Sequence, residues 1–277
     1  MSISAKDVKE LREQTGAGMM DCKKALQEAD GDFDQAIEVL RKKGQELTEK
    51  RADREANQGL IVTKVSDSGD KAAALEINCE TDFVARNDDF QKQANQFVEL
   101  AFKEEIETVD ELLQTEMDGL TVGDHLKDMV ATIGEKIKIS RVILAKTDGQ
   151  LVSYIHPGNQ LAVLVEFEDD IDDQDISKDV AMQVAAMNPL AVTRDGVDSS
   201  IVEKELEIAK EQLLNEGKPE EIAEKASQGK LRRFYEERVL LDQKFVKDNS
   251  ISVKEYLTQN DAPLVTDFYR IQLGEDQ

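Results

Sequence analysis

The sequence contains few of the side chains that usually carry catalysis or bind metal ions. Its 277 residues include only two histidines, His125 and His156, and two cysteines, Cys22 and Cys79. These four are too few and too scattered for a zinc site of recognisable spacing. Two cysteines in a chain of this length indicate free thiols in a reducing compartment, although the sequence alone leaves a disulfide between them open.

Long apolar runs and positive charge are also scarce. No window approaches the roughly eighteen apolar residues of a membrane-spanning helix, and the start of the chain lacks the pattern of a signal or transit peptide. The chain has 35 basic against 59 acidic side chains, a formal net charge of −24, so partners bound mainly through phosphates would be repelled. We therefore expect a cytoplasmic protein with no direct contact to nucleic acid or membrane.

Strings that imitate cofactor or metal loops fail at defined positions. Residues 16–21 begin like a dinucleotide-binding loop, but the string ends in Asp21 and follows a helical pattern where a strand is required. The aspartates from Asp30 onward imitate a calcium loop, yet Arg41 stands where a bidentate Glu belongs. The sequence has no Gly-x-x-x-x-Gly-Lys-Ser/Thr string. We expect no cofactor and no bound metal ion.

The N-terminal part has helical spacing. Residues 1–45 carry three bursts of apolar residues separated by Gly-containing breaks, which predict a compact three-helix domain with Gly44 as the stop signal of the third helix. Residues 46–58 are highly charged and have almost no apolar stripe. They predict a solvated helical linker that ends at Gly59.

Beyond the linker the apolar pattern changes to a period of two, and the fold class predicted is α+β. We expect a core of two related halves, each an antiparallel sheet backed by helices. The first half covers 59–136, and the second covers 137–194 together with 231–277. Residues 195–230 have coiled-coil spacing and predict an inserted helical hairpin.

Two segments allow more than one interpretation. Met19 and Met20 open a helix after a Gly-rich turn. Either both enter the small core, or one enters it while its neighbour, about 100° away around the helix, presents an adaptable contact surface. Phe83 lies beside Asp82 between a predicted strand and a helix capped at Asn87. It is either a plug in the core or an exposed contact.

Both segments resemble signatures of the elongation factor Ts family. The first signature is LREQTGAGMMDCKKAL at 11–26, and the second is EINCETDFVA at 76–85. The similarity extends more weakly over nearly the whole chain, including SYIH at 153–156 and the pair Phe245 and Val246. The resemblance implies a ubiquitin-associated-like three-helix domain, a two-part core and an inserted helical hairpin.

The resemblance also implies a function, because members of this family accelerate GDP release from the GTPase elongation factor Tu. Such a chain would not be an enzyme, and it would leave its partner when GTP binds. Carried over by motif, the residues that would dock on the GTPase domain are Arg12, Met19, Met20, Lys23 and His156. Those that would contact another domain are Phe245 and Val246. Those that would dislodge the partner's magnesium ion are Thr81, Asp82, Phe83 and Val84.

Departures from the family pattern concern the second half of the chain. Gln160 and Ala162 stand in a stretch that is usually Gly-rich with an Arg, and Lys247 follows the Phe-Val pair where an apolar residue is common. The chain stops at 274–277, where relatives commonly continue into a helical tail. These differences affect the expected contacts near His156 and any contact that such a tail would make with a partner.

Two other functions are compatible with the residues. One is a binding module that uses the three-helix domain to hold another protein without exchanging its nucleotide. The other is a hydrolase that uses His156 with Asp148 or Cys79, and its only support is that suitable residue types are present. Self-association, as a homodimer or a two-to-two assembly through the hairpin or the core, is left open.

Overall fold

The computed structural model describes residues 3–275, and expectations about the first two and last two residues lie outside this range. The helices are α1 (Ala5–Thr15), α2 (Met19–Glu28), α3 (Phe33–Lys50), α4 (Asp82–Ala85), α5 (Asp88–Glu104), α6 (Val109–Gln114), α7 (Val122–Ile133), α8 (Gln174–Met187), α9 (Ser199–Asn215), α10 (Glu220–Arg238) and α11 (Val253–Gln259). The strands are β1 (Gln58–Val65), β2 (Lys71–Cys79), β3 (Glu116–Met117), β4 (Leu120–Thr121), β5 (Lys138–Lys146), β6 (Gln150–Ile155), β7 (Leu161–Phe167), β8 (Lys244–Phe245), β9 (Asp248–Ser252) and β10 (Val265–Gln272). The fold is α+β, and between residues 3 and 275 no helix combines the length and apolar character needed to cross a membrane.

The three N-terminal helices form where the spacing predicts them. A capping box begins α1, in which the Ser4 hydroxyl accepts from the Asp7 amide at 3.2 Å and the Asp7 carboxylate accepts from the Ser4 amide at 3.0 Å. Gly16 ends α1 in the left-handed conformation with φ of 68°. Leu11, Cys22 and Leu26 are fully buried among these helices and form the centre of a small core.

The third helix is longer than expected, because Gly44 does not stop it. Helix α3 continues to Lys50 and packs against α7. A Cβ atom at position 44 would lie 2.9 Å from the Lys127 carbonyl oxygen and 2.9 Å from the Ala131 Cβ. Only glycine permits this close approach, and Leu47 one turn later packs against the core of the first sheet. Residues 46–50 of the predicted linker are helical and mostly exposed, but they continue α3 without a break, and Leu47 among them is packed. The prediction of a helix is wrong for residues 51–57, which form turns and irregular chain before β1.

Two antiparallel three-stranded sheets form the centre of the molecule. Their strand orders are β1-β2-β5 and β10-β7-β6. Strand β5 pairs with β2, with Leu75 opposite Val142, so the strand expected to open the second half belongs to the first sheet. The sequence could not predict this pairing, because an alternation of apolar residues identifies a strand but not the neighbouring strand with which it pairs.

The sheets pack face to face through small residues, with helices on both outer sides. Even-numbered alanines of β2, Ala72 and Ala74, share a core between the sheets with Ala162 and Leu164 of β7. Odd-numbered residues of β2 face a second core beneath α5, α6 and α7, and β7 faces a third core beneath α8 and α11. Strands β2 and β7 are consequently buried on both faces, which makes them the most enclosed strands of the fold.

Helices α9 and α10 form the predicted hairpin. Ala209 and Leu213 are buried in it opposite Ala223 and Ser227, and Gly217 turns the chain with φ of 82°. The hairpin extends beyond the predicted range, since α10 continues to Arg238 and Val239 then packs against Ala191 and Val197.

Substitution of Gly44 tests the contact between α3 and α7. Gly44→Ala should destabilise the chain by about 1–3 kcal/mol, because the added methyl group meets backbone that cannot move aside. Gly229→Ala is the matched control, since Gly229 is an exposed helical glycine with open space around it, and it should stabilise by about 0.5–1 kcal/mol. Urea unfolding followed by circular dichroism measures both changes, and a neutral or stabilising Gly44→Ala would contradict the close approach.

Candidate functional site

A sharp corner at the end of β2 exposes an aromatic side chain. Thr81 caps the four-residue helix α4, its hydroxyl accepting from the Val84 amide at 3.4 Å. Phe83 is 81% exposed, the highest value among the large apolar side chains of residues 3–275. The interpretation of Phe83 as a core plug is therefore wrong, whereas its neighbour Val84 does pack against the core of the first sheet.

Glu80 holds the corner from one side. Its carboxylate accepts hydrogen bonds from Arg51 Nη1 at 2.8 Å, Arg54 Nη1 at 2.9 Å and the Lys136 amide at 2.6 Å. Desolvation raises the pKa of Glu80, but the hydrogen bonds from Lys136, Arg54 and Arg51 outweigh it and lower the pKa to about 2. Glu80 is therefore charged throughout the physiological range.

Glu135 holds the corner from the other side. Its Oε2 atom accepts from the backbone amides of Glu80 at 3.1 Å and Thr81 at 3.0 Å, and its Oε1 atom accepts from the Thr81 hydroxyl at 2.7 Å. Sequence reasoning gave no role to Glu135, because 54 residues separate it from Thr81 and no local motif surrounds it. The signature at 76–85 contained Glu80 but did not indicate its partners.

The four predicted N-terminal contact residues lie on α1 and α2 and are all exposed, and we call them the N-terminal surface. Arg12 and Lys23 are exposed, and Met19 and Met20 are 56% and 62% exposed. The interpretation that both methionines enter the core is wrong, and so is the one in which a single methionine enters it. An ion pair between Asp21 and Lys43 joins α2 to α3 behind this surface.

His156 lies in the turn between β6 and β7 and is exposed. Its Nδ1 atom lies 2.9 Å from the Tyr154 hydroxyl. Residues 158–160 of the same turn share a cleft of about 350 Å³ with Asp82 and Arg86 of the corner. The His156 turn and the Phe83 corner therefore lie on the same side of the molecule, and Gln160, one of the departures from the family pattern, lines the cleft between them.

Phe245 and Val246 differ in exposure. Phe245 is only 3% exposed and stacks on Tyr256 with ring centroids 4.0 Å apart, whereas Val246 is 45% exposed. The expectation that the Phe245 ring contacts a partner does not fit this arrangement, because the ring is buried and stacked on Tyr256. Val246 is the member of the pair that is available for contact.

Lys247, another departure, has a partner of its own. Its ammonium lies 2.6 Å from the Asp179 carboxylate, which also accepts from the Tyr256 hydroxyl at 3.2 Å. Burial and the charge of Asp179 raise the pKa of Tyr256 to about 12. In place of an apolar residue, this chain uses an ion pair to fasten the segment after Phe245 to α8.

Cys79, one of the residues invoked for hydrolysis, is not available as a nucleophile. Cys79 is fully buried, and its thiol donates to the Thr81 carbonyl at 3.1 Å. Burial, with the charge of Glu135, raises the pKa of Cys79 to about 12, so the thiolate nucleophile is suppressed. Within residues 3–275, no three His, Cys, Asp or Glu side chains converge as a metal site.

The candidate site thus comprises a projecting apolar side chain on a fixed corner and two exposed methionines at the start of α2, features suited to binding another protein. The family model described as Elongation factor TS matches residues 80–275. Similar proteins named Elongation factor Ts come from Amoebophilus asiaticus, at 47% identity over 99% of this chain and 100% of the relative, and from Christiangramia forsetii, at 47% over 98% and 99%. A third from Flavobacterium psychrophilum is 45% identical over 99% of both chains. The chain belongs to the elongation factor Ts family.

Thiol reactivity tests the burial of the two cysteines. Ellman's reagent at pH 8 should find almost no fast-reacting thiol in the native chain and both thiols after unfolding in guanidinium, since Cys22 and Cys79 are buried and the pKa of Cys79 is about 12. Raising the pH to 9 should leave the native reaction slow. One thiol that reacts within seconds in the native chain would contradict this arrangement.

Proposed function

We propose that this chain is a guanine-nucleotide exchange factor that binds elongation factor Tu carrying GDP and promotes release of the GDP. Membership of the elongation factor Ts family supports the partner and the role. The single observation that carries the mechanism is the 81% exposure of Phe83 on a corner fixed by two carboxylates. The chain then has no reaction of its own to catalyse.

Insertion of the exposed Phe83 into the partner supplies the free energy that displaces the partner's helices around its magnesium ion. Moving one Phe side chain from water into an apolar gap is worth about 1.5–3 kcal/mol. Because Phe83 is exposed in the free chain, this free energy is released only when a partner provides the apolar gap. Val84 anchors the same turn to the core, so that insertion moves the partner and not the corner.

The partner's magnesium ion is the part most sensitive to such a displacement. Magnesium requires near-octahedral oxygen ligands at about 2.0–2.1 Å, so a small shift of the surrounding helices removes a ligand from its position. In this proposal Thr81, Asp82, Phe83 and Val84 form the segment that causes the shift. Loss of the ion removes charge compensation from the phosphates of GDP, which weakens nucleotide binding.

The remaining contacts position the chain on its partner. Arg12, Met19, Met20 and Lys23 dock on the GTPase domain, where the flexible methionines adapt to an apolar surface. His156 lies on the same side as the corner and docks against the same domain. Val246 contacts a second domain, and Phe245 supports it from within the core through its stacking on Tyr256.

Reversibility follows from linkage between the two ligands of the GTPase. If the chain weakens GDP binding by a given factor, GDP weakens binding of the chain by the same factor. Fresh GTP therefore expels the chain and completes the exchange.

The domain organisation follows the same family. We assign the first three helices to a ubiquitin-associated-like docking domain and the two sheets to the two parts of the core. The α9–α10 hairpin is an insertion in the second part. The boundary inside the core lies after β5, since β5 pairs with β2.

The direct test is release of a fluorescent GDP analogue from elongation factor Tu. Micromolar chain, added with excess unlabelled GDP, should raise the release rate by at least about tenfold, which corresponds to a barrier lowered by 1.4 kcal/mol. Binding without acceleration would favour the alternative of a plain binding module. Neither binding nor acceleration would refute the proposal.

Substitution of Phe83 separates the exchange role from a structural one. Phe83→Ala should slow the stimulated release by about 10- to 100-fold, because the insertion energy is lost, while changing stability by less than about 0.5 kcal/mol. Ile222→Ala is the matched control, since Ile222 is 53% exposed on the hairpin, and it should leave release unchanged. A Phe83→Ala chain that unfolds, or one that releases GDP at the wild-type rate, would contradict the assigned role.

A further inference from the structure

Three donors from two separate segments of the chain meet at the Glu80 carboxylate. Arg51 lies at the end of α3, Arg54 lies in the connector before β1, and Lys136 lies in the loop after α7. All three donate to Glu80, whose side chain is 18% exposed. In addition, Lys136 Nζ donates to the Arg54 carbonyl at 2.8 Å, so the connector and the loop are also joined directly.

Glu135 extends this network to the exposed corner. Through its bonds to the Glu80 and Thr81 amides and to the Thr81 hydroxyl, it links the loop after α7 to the cap of α4. We call the five residues Arg51, Arg54, Glu80, Glu135 and Lys136 the Glu80 clasp. The clasp connects the last turn of α3 to the turn that carries Phe83.

Helix α3 leads from the clasp to the N-terminal surface. Its 18 residues span about 27 Å without interruption. Near its middle, Gly44 contacts α7, and Lys43 pairs with Asp21 of the helix that begins with Met19. Leu47 packs against the first core between Gly44 and the end of the helix, and the clasp adds the last contact of this series, at the C-terminal end of α3.

We propose that Glu80 is a positioning residue for nucleotide release, which sets the orientation of the N-terminal surface relative to Phe83 so that both meet the partner together. This inference rests on the proposed function. Contacts that are already oriented avoid the ordering cost that flexible contacts incur on binding. Without the clasp, the N-terminal surface and Phe83 each still bind the partner. Docking of the N-terminal surface, however, no longer places Phe83 at the apolar gap of the partner.

Kinetics of GDP release test the positioning role. Glu80→Ala should lower the maximal release rate at saturating chain by roughly 3- to 10-fold. The concentration of chain that gives half-maximal rate should change by less than about threefold, because the docking surfaces are untouched. Glu80→Gln keeps an acceptor for the Lys136 amide and should give an intermediate rate.

Asp242→Ala is the matched control, since it removes a carboxylate that holds Arg194 with two bonds of 2.9 Å outside the clasp. It should leave both kinetic quantities unchanged. If Glu80→Ala does not fold, Arg54→Ala gives the same test, because Arg54 is 53% exposed and its loss removes one bond only.

A distance measurement on the free chain makes the test independent of elongation factor Tu. Spin labels on Lys24→Cys in α2 and Lys92→Cys in α5, both exposed positions, should give a narrow distance distribution in the otherwise wild-type chain. The distribution should broaden with Glu80→Ala and stay narrow with Asp242→Ala. An unchanged distribution, or a wild-type maximal rate for folded Glu80→Ala, overturns the positioning role. If the wild-type chain fails to accelerate release, the proposed function falls, and the distance measurement still decides whether Glu80 fixes the orientation.

Discussion

The three residues before the exposed corner are each held by a different part of the molecule, and the candidate site depends on this. Cys79 is buried beneath the helices and donates to the Thr81 carbonyl. Glu80 binds two arginines of the N-terminal connector, and Thr81 binds Glu135 after α7. A helix of four residues has no stability of its own, so these bonds determine where α4 lies. Phe83 is consequently exposed at a fixed place rather than on a loose loop.

The corner is rigid because of the strand that leads to it. Strand β2 is the middle strand of the first sheet and is buried on both faces. Its alanines allow the second sheet to approach, while Leu75 and Ile77 pack beneath the helices on the other side. Close-packed interiors deform little, so in the proposed complex the corner would keep its shape when Phe83 presses on the partner.

Periodicity predicted the N-terminal helices, the main strands, the helical hairpin and the α+β class, since each of these depends on residues close in sequence. It failed where distant residues decide. Gly44 resembles a stop signal in the local sequence. It instead lies within α3, where it packs against Lys127 and Ala131 of α7, more than 80 residues later in the chain. The pairing of β5 with β2 is likewise long-range, since it sets Val142 opposite Leu75. The signatures identified the segment around Phe83, but its exposure depends on supports such as Glu135 that carry no local signal.

The central claim is that the corner at Phe83 enters the GTPase partner and displaces the surroundings of its magnesium ion. A structure of this chain bound to nucleotide-free elongation factor Tu measures this most directly. The account predicts carbon atoms of the Phe83 ring within about 4 Å of apolar atoms of the GTPase domain, beside an altered magnesium site. A complex that still releases GDP quickly while the Phe83 ring faces open solvent would contradict it.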